Sequence, residues 1–314
     1  MRVSNALVTR SITRRLQEAQ RALLDAQQRA TTGKRVQVVS DDPTSGSTIM
    51  QVSGALRGLE QYARNVGAVK ARLDTEDSAL GQVTELLTRA RELGVAANTD
   101  TIDAAGRRAV GIEVRQLLQQ ALAVGNTKVA DEYLFGGHAA DRPPFDATLA
   151  AQVPPFAALD AGGAPAARGE RFVEVAAGQT MRGAHSGATL FVDTGLLAGL
   201  QAMADALDPA GATPPRAMPA DQMGDLNAAL ATLEGAFTVV QGYIGEIGAR
   251  QNQVDTFASG LEALKATYTT QRSDLSEVDM EQAITEMMQR QMAYQAAMLA
   301  SSKIMGLSLA DYIR

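Results

Sequence analysis

Residues 40–98 read SDDPTSGSTIMQVSGALRGLEQYARNVGAVKARLDTEDSALGQVTELLTRARELGVAAN, and the fold follows from this stretch. Asp41, Asp42 and Pro43 spell a helix start. An Asp carboxylate accepts from the unpaired N–H groups of a first turn, and Pro at the first helical position gives up only an N–H that has no partner. Asp42 and Pro43 are therefore the candidate cap of a rod helix, and no further Pro occurs until Pro143. Apolar residues recur at Ile49, Val52, Leu56, Leu59, Ala63 and Val66, and again at Val69, Leu73, Leu80, Val83, Leu87 and Ala90, with Glu76 as one polar interruption. The step from Ala63 through Val66 to Val69 contains two successive threes, which predicts a seam that shifts around the helix there. A helix over this stretch would run roughly 80 Å at 1.5 Å per residue. Such a rod needs partner helices.

Four further segments answer that need. Residues 5–30 carry Ile12, Leu16, Ala19, Leu23, Ala26 and Ala30 at a 4-3 spacing, while Arg10, Arg14, Arg15, Arg21 and Arg29 fill the other faces. So narrow a stripe buries too little to offset its ordering entropy alone. Gly33 is the expected C-cap, followed by an extended Val36-Gln37-Val38-Val39. After the short turn Thr99-Asp100-Thr101, a return helix with the seam Val110, Val114, Leu117, Ala121 and Val124 is expected to end near Tyr133 and to pack antiparallel on the rod. Farther on, Leu226, Leu230, Leu233, Phe237, Val240, Ile244, Ile247, Gln251, Val254, Ala258, Leu261, Lys265 and Tyr268 keep strict 4-3 spacing over six heptads. Gly242, Gly245 and Gly248 each cost about 1 kcal/mol there against Ala, which points either to a close neighbouring backbone or to a kink. Ser276-Glu277-Val278-Asp279 fits a capping box before a last helix from about Met280 to Gly306, whose broad face carries Ile284, Met287, Met288, Tyr294, Met298, Leu299 and Met305.

Between the helical halves the chain changes character. Nine of its ten prolines lie from Pro143 to Pro219, and Arg171–Val175 and Ala188–Val192 read as strands. The predicted fold class is mainly α, a long antiparallel helical-bundle or coiled-coil rod built from the N- and C-terminal regions with a small inserted β-rich domain. The expected divisions are 1–42 with 270–314 as terminal assembly helices, 43–140 with 220–269 as the rod, and 141–219 as the insert.

Composition excludes several function classes. The 314 residues are 46% hydrophobic but 4% aromatic, with no Trp and no Cys, so disulfides and thiolate metal sites are out and Ala, Leu, Val and Met supply the seams. A net charge of −6 gives no general reason to bind nucleic acid or an anionic membrane. Apolar runs fall short of the roughly 20 residues of a membrane span, and Met1-Arg2-Val3-Ser4 does not open a cleavable secretory signal. The only histidines, His138 and His185, sit in Gly-rich contexts without metal-ligand spacing, and Gly33-Lys34 lacks the rest of a phosphate loop. Asp41 and Asp42 read as helix caps, not as paired catalytic carboxylates. No catalytic residue, cofactor or metal is expected.

Residues 1–140 and 221–314 resemble the terminal regions of the flagellin superfamily, the axial proteins of bacterial flagella. The matching pieces are Thr32-Gly33-Lys34-Arg35, Ser40-Asp41-Asp42-Pro43, Gln61-Tyr62-Ala63-Arg64-Asn65, Ile247-Gly248-Ala249-Arg250-Gln251-Asn252 and Leu307-Ser308-Leu309-Ala310-Asp311-Tyr312. The Met1-Arg2-Val3-Ser4 opening, Tyr133-Leu134-Phe135-Gly136-Gly137 with Pro144-Phe145, and the Ser-Leu-x-Asp-Tyr ending are similar to the hook-associated protein 3 type, which joins hook to filament; the last residue, Arg314, departs toward flagellin endings. The resemblance implies an extracellular structural protein without catalysis, exported uncleaved through the flagellar type III export apparatus with an export chaperone on its C-terminal segment. It further implies assembly as a ring of copies on the preceding hook-associated protein, where flagellin then polymerises. Ile12, Leu16 and Leu23 become the candidate N-terminal assembly seam. Ile284, Met288, Met298, Leu299, Leu307, Leu309 and Tyr312 become the candidate C-terminal assembly and chaperone face. A minor flagellin, and from another class a cytoplasmic helical signalling or scaffold protein, are the alternatives.

Overall fold

Asp42 starts the long helix as its sequence requires: its Oδ1 accepts from the backbone N–H groups of Thr44 and Ser45 at 3.2 and 3.1 Å. The computed structural model describes residues 2–99, 102–160, 162–209 and 222–312, with side chains described for Leu7 and from Arg10 to Lys303 within those ranges. In chain order the elements are α1 (Arg2–Thr32), α2 (Pro43–Ala97), α3 (Ala104–Gly125), β1 (Lys128–Val129), β2 (Glu132–Tyr133), β3 (Phe172–Ala176), β4 (Gln179–Arg182), a π-helical turn (Ala188–Val192), α4 (Leu196–Leu207), α5 (Gln222–Ser276) and α6 (Met280–Tyr312). The chain divides into two compact units, Met1–Gly58 with Ala263–Arg314 and Leu59–Glu262.

In the larger unit the rod helices lie antiparallel. Lys70 meets Asp255, Asp74 meets Gln251, Arg91 meets Glu234 and Asn98 meets Asn227, so rising numbers on α2 match falling numbers on α5. Arg89 on α2 likewise reaches Glu113 on α3, which folds back as expected. Of the buried α5 positions, Leu226, Leu233, Val240, Ile247, Val254 and Leu261 fall every seventh residue, as the heptads demand, with Ala229 and Ala236 beside them. The α2 seam departs from expectation. It runs Leu59, Tyr62, Val66, Val69, Leu73, Glu76, Leu80, Val83, Leu87, Ala90, Gly94, Ala97, a 3-4 alternation with no shift. Tyr62 is half-buried in line and Ala63 is exposed, so the apolar Ala63 had suggested a break that the amphipathic Tyr62 closes.

Other expectations also change. The return helix stops at Gly125, not near Tyr133, because Asn126 caps it and then exchanges two hydrogen bonds with the Phe145 backbone. Tyr133 lies in the β1–β2 hairpin opposite Lys128. Of the two expected strands, 171–175 is realised in β3, which pairs antiparallel with β4. Ala188–Val192 is a π-helical turn, because its aromatic and branched side chains are needed inside on more than one side: Ala188, Leu190 and Phe191 are all buried. Phe191 packs against Phe135 and Phe145 at 5.3 and 5.2 Å between centroids. The insert thus contains α4 as well as strands. An 18-residue window within Ala188–Leu207 reaches a mean hydropathy of 1.3, interrupted by charged residues, and its Leu190, Leu196, Leu197, Leu200 and Met203 fill the core of this unit. At Gly242, Gly245 and Gly248 an added Cβ would meet nothing within 4 Å, so within this chain no close backbone accounts for them, and α5 continues through all three.

Candidate assembly surface

The smaller unit holds the terminal helices. α1 and α6 pack along one another, yet among their described side chains only Ala26 and Ala283 are fully buried. The N-terminal seam residues Ile12, Leu16 and Leu23 are half-buried. On α6 the half-buried positions Met287, Tyr294, Ala297 and Ser301 recur at helical spacing. The predicted face lies beside them and stands in solvent: Ile284 is 41% exposed, Met288 54%, Met298 48% and Leu299 66%. The exposed Met280 and Met292 join these apolar side chains. Leu307, Leu309 and Tyr312 fall within α6, but their side chains lie outside the described residues. Among the described residues the structure therefore separates the two predicted sets by burial: the α1 seam is partly covered, while Ile284, Met288, Met298 and Leu299 of α6 are bare.

The two linkers of this unit are tied to each other. Gly33 ends α1 in a left-handed turn, φ +67°, with its N–H on Arg29 O. Lys34 and Glu277 then form an antiparallel bridge. The Arg35 N–H donates to Ser276 O at 2.7 Å, the Val278 N–H to Gly33 O at 3.0 Å, and the Arg35 guanidinium to Leu275 O at 3.0 Å. Arg35 also pairs with Asp42 at 3.3 Å. Val38 and Val39 are exposed where an extended segment had been expected, because the chain turns. Asp41 takes the Gln37 and Val38 N–H groups at 3.0 and 3.1 Å, so it caps this turn and not the helix. Those N–H donors, Val38 first, hold the Asp41 carboxyl below its ordinary range; Ser45 and then Arg35 do the same for Asp42. The capping box also resolves differently. Ser276 ends α5, and Asp279 alone caps α6 by accepting from the Glu281 N–H at 2.9 Å.

The larger unit contains what sequence reading missed. Glu76, taken for an interruption, is fully buried on the α2 seam, and His185 is buried beside it with Nδ1 2.6 Å from Glu76 Oε1. Glu246 and Arg250 of α5 and Arg182 of β4 close the cluster. Only a charged residue standing where the 3-4 count requires an apolar one signals it in sequence, and that mark does not say which partner answers. Among the described residues no group of three or more His, Cys, Asp or Glu side chains is arranged to hold a metal ion.

The terminal helices thus pair lengthwise and leave an apolar face of α6 bare among the described residues. The chain belongs to the bacterial flagellin family. Residues 3–140 match the bacterial flagellin N-terminal helical region and residues 230–313 its C-terminal helical region. It is similar, at 26% identity over 98% of both chains, to flagellar hook-associated protein 3 of Escherichia coli K12. A shorter match, 29% identity over 31% of this chain and 29% of the other, is to the flagellar filament 41 kDa core protein of Borreliella burgdorferi. Among solved structures, a putative flagellar hook-associated protein from Vibrio parahaemolyticus has a TM-score of 0.63 at 18% identity, covering 76% of this chain and 100% of its own. Bacillus cereus FlgL has a TM-score of 0.54 at 21% identity, covering 71% and 98%. These likenesses agree with the mainly helical fold expected.

Proposed function

We propose that this chain is a non-catalytic junction subunit of the bacterial flagellum, seated between hook and filament. The observation that carries the reading is the bare apolar face of α6 beside a sparsely buried α1. End-to-end similarity to a hook-associated protein 3 supports the junction role over a plain filament role. In this reading residues 1–42 and 270–314 are the assembly segments, 43–140 and 220–269 the rod, and 141–219 the insert. Ile12, Leu16 and Leu23 meet the α6 side, while Ile284, Met288, Met298 and Leu299, with Leu307, Leu309 and Tyr312 beyond, meet neighbouring subunits. Before that an export chaperone covers the same face during passage through the type III apparatus. A thioether-rich surface suits two successive partners, since Met side chains re-pack readily. The partners are further copies in a ring, the preceding hook-associated protein, and flagellin.

Deleting the gene tests it. The expected result is hooks without filaments and flagellin monomers in the medium. Attached filaments would refute the junction role in favour of a minor flagellin, and retention of the protein inside wild-type cells would refute both.

A further inference from the structure

His185 lies between the two rod helices with its ring nitrogens on different groups. Nδ1 is 2.6 Å from Glu76 Oε1, and the His185 backbone N–H donates to the same oxygen at 3.0 Å. Nε2 faces Glu246 Oε2 at 3.1 Å and Arg250 Nη2 at 3.4 Å. The first is an acceptor and the second only a donor. One ring nitrogen cannot serve both: toward Glu246 it must carry a proton, and toward Arg250 it must offer a lone pair. We propose that His185 is a proton-operated switch. Its protonated ring donates Nε2–H to Glu246, and loss of that proton turns Nε2 over to Arg250, while Nδ1–H stays on Glu76 in both states.

The surroundings suit both arrangements. Arg250 already holds Glu246 Oε1, and its Nη1 is buried without a partner among the described residues. The His185 side chain is 1% exposed while that of Glu246 is 43% exposed, so the proton exchanges with solvent on the Glu246 side. The other charged and titratable groups facing the ring are Tyr243 of α5, at 4.6 Å between ring centroids, and Arg182 of β4, which bridges Glu246 and Glu170; Arg72 of α2 lies beside Gly183 with its guanidinium on Glu132. Asp193 follows the π-helical turn and acts on Tyr243 at longer range. Burial disfavours the imidazolium, but Glu76 and then Glu246 outweigh it, and His185 titrates above its ordinary value despite Arg182. A raised folded pKa means the added hold is complete below about pH 6.5, the ordinary His value, and is lost as pH rises through the raised one. Below that point the ring ties Glu76 of α2 to Glu246 of α5; above it the ring reaches α5 through Arg250 instead.

The experiment is a pH titration of the 15N-labelled full chain by long-range imidazole NMR, with His138→Asn used to assign the one remaining ring. The expected result is a His185 titration whose neutral form has its proton on Nδ1 and a bare Nε2. Glu246→Gln, at a partly exposed site, lowers the midpoint by removing the negative charge that favours the charged form. Arg250→Gln raises it by removing the donor to the neutral form and a positive charge. Loss of either charge would shift any nearby histidine in these directions, so it is the neutral tautomer that distinguishes a ring that hands Nε2 to Arg250 from one that does not. A neutral ring protonated at Nε2, no titration between pH 5 and 10, or midpoints that shift the same way in both variants would overturn the proposal. Should Arg250→Gln fail to fold, the tautomer in the unaltered chain and the Glu246→Gln shift still decide.

Discussion

Replacing Leu299 by Asp separates assembly from folding. Leu299 stands on the bare face of α6, 66% exposed. Full burial of a Leu side chain is worth about 1.5–3 kcal/mol, so about 1–2 kcal/mol of it is left for a neighbouring subunit to collect. An Asp carboxylate taken out of water into that contact adds a penalty of several kcal/mol. A combined loss of about 3 kcal/mol or more per contact raises the concentration needed for assembly more than ~100-fold, at 1.4 kcal/mol per factor of ten. Within the single chain most of this side chain already faces solvent, and the same substitution stays inside about 0.5 kcal/mol. The assay pairs urea denaturation of the purified protein with swimming of a deletion strain carrying the variant. The expected outcome is an unchanged midpoint and no swimming. An unfolding free energy lowered by more than about 1 kcal/mol would show that Leu299 is already packed in the monomer, and normal swimming would show that this face meets nothing; surface substitutions rarely exceed half that cost.

Four other substitutions probe the rest of the molecule. Leu80→Ala removes a fully buried side chain from the α2 seam and should cost about 2–5 kcal/mol by chemical denaturation. Gly111→Ala would place a Cβ 2.9 Å from Asp208 Cβ and 3.0 Å from its backbone N, which forces α3 from α4 at about 1–3 kcal/mol, read as a lowered melting temperature. Gly242→Ala, by contrast, projects into open space on an unbroken helix and should raise monomer stability by about 1 kcal/mol; a loss would mean α5 bends there in solution. Asp42→Ala should speed amide exchange at Thr44 and Ser45. In the unaltered chain the same fraying appears only as pH falls through the lowered Asp42 pKa, since a depressed carboxyl stabilises above its ordinary range and stops doing so below.

The long helices were legible because a 3-4 repeat sustained over many turns admits few other structures. Counting apolar letters failed at Tyr62, a side chain with an apolar body and a polar tip, which keeps the seam in register by burying only part of itself. It failed again at Glu76, whose partner lies 109 residues away on a loop that no local pattern connects to α2. The Ala188–Val192 run carries the residues that strands favour, but a strand shows alternate side chains to one face, and here the core accepts neighbours on several sides. The terminal faces could be located but not assigned to occupants, because periodicity marks which side of a helix is apolar and not what covers it.

The cross-tied linkers also act as a ruler. Backbone at 33–36 is fixed to backbone at 275–278, so α1 and α6 set out from one shared origin and their angular settings are locked there. At 3.6 residues per turn, adding or removing one residue between that origin and either helix rotates the whole helix by about 100°. The Met-rich stripe would then point elsewhere with every side chain still in place. Length, more than letter, is what these short joints hold constant.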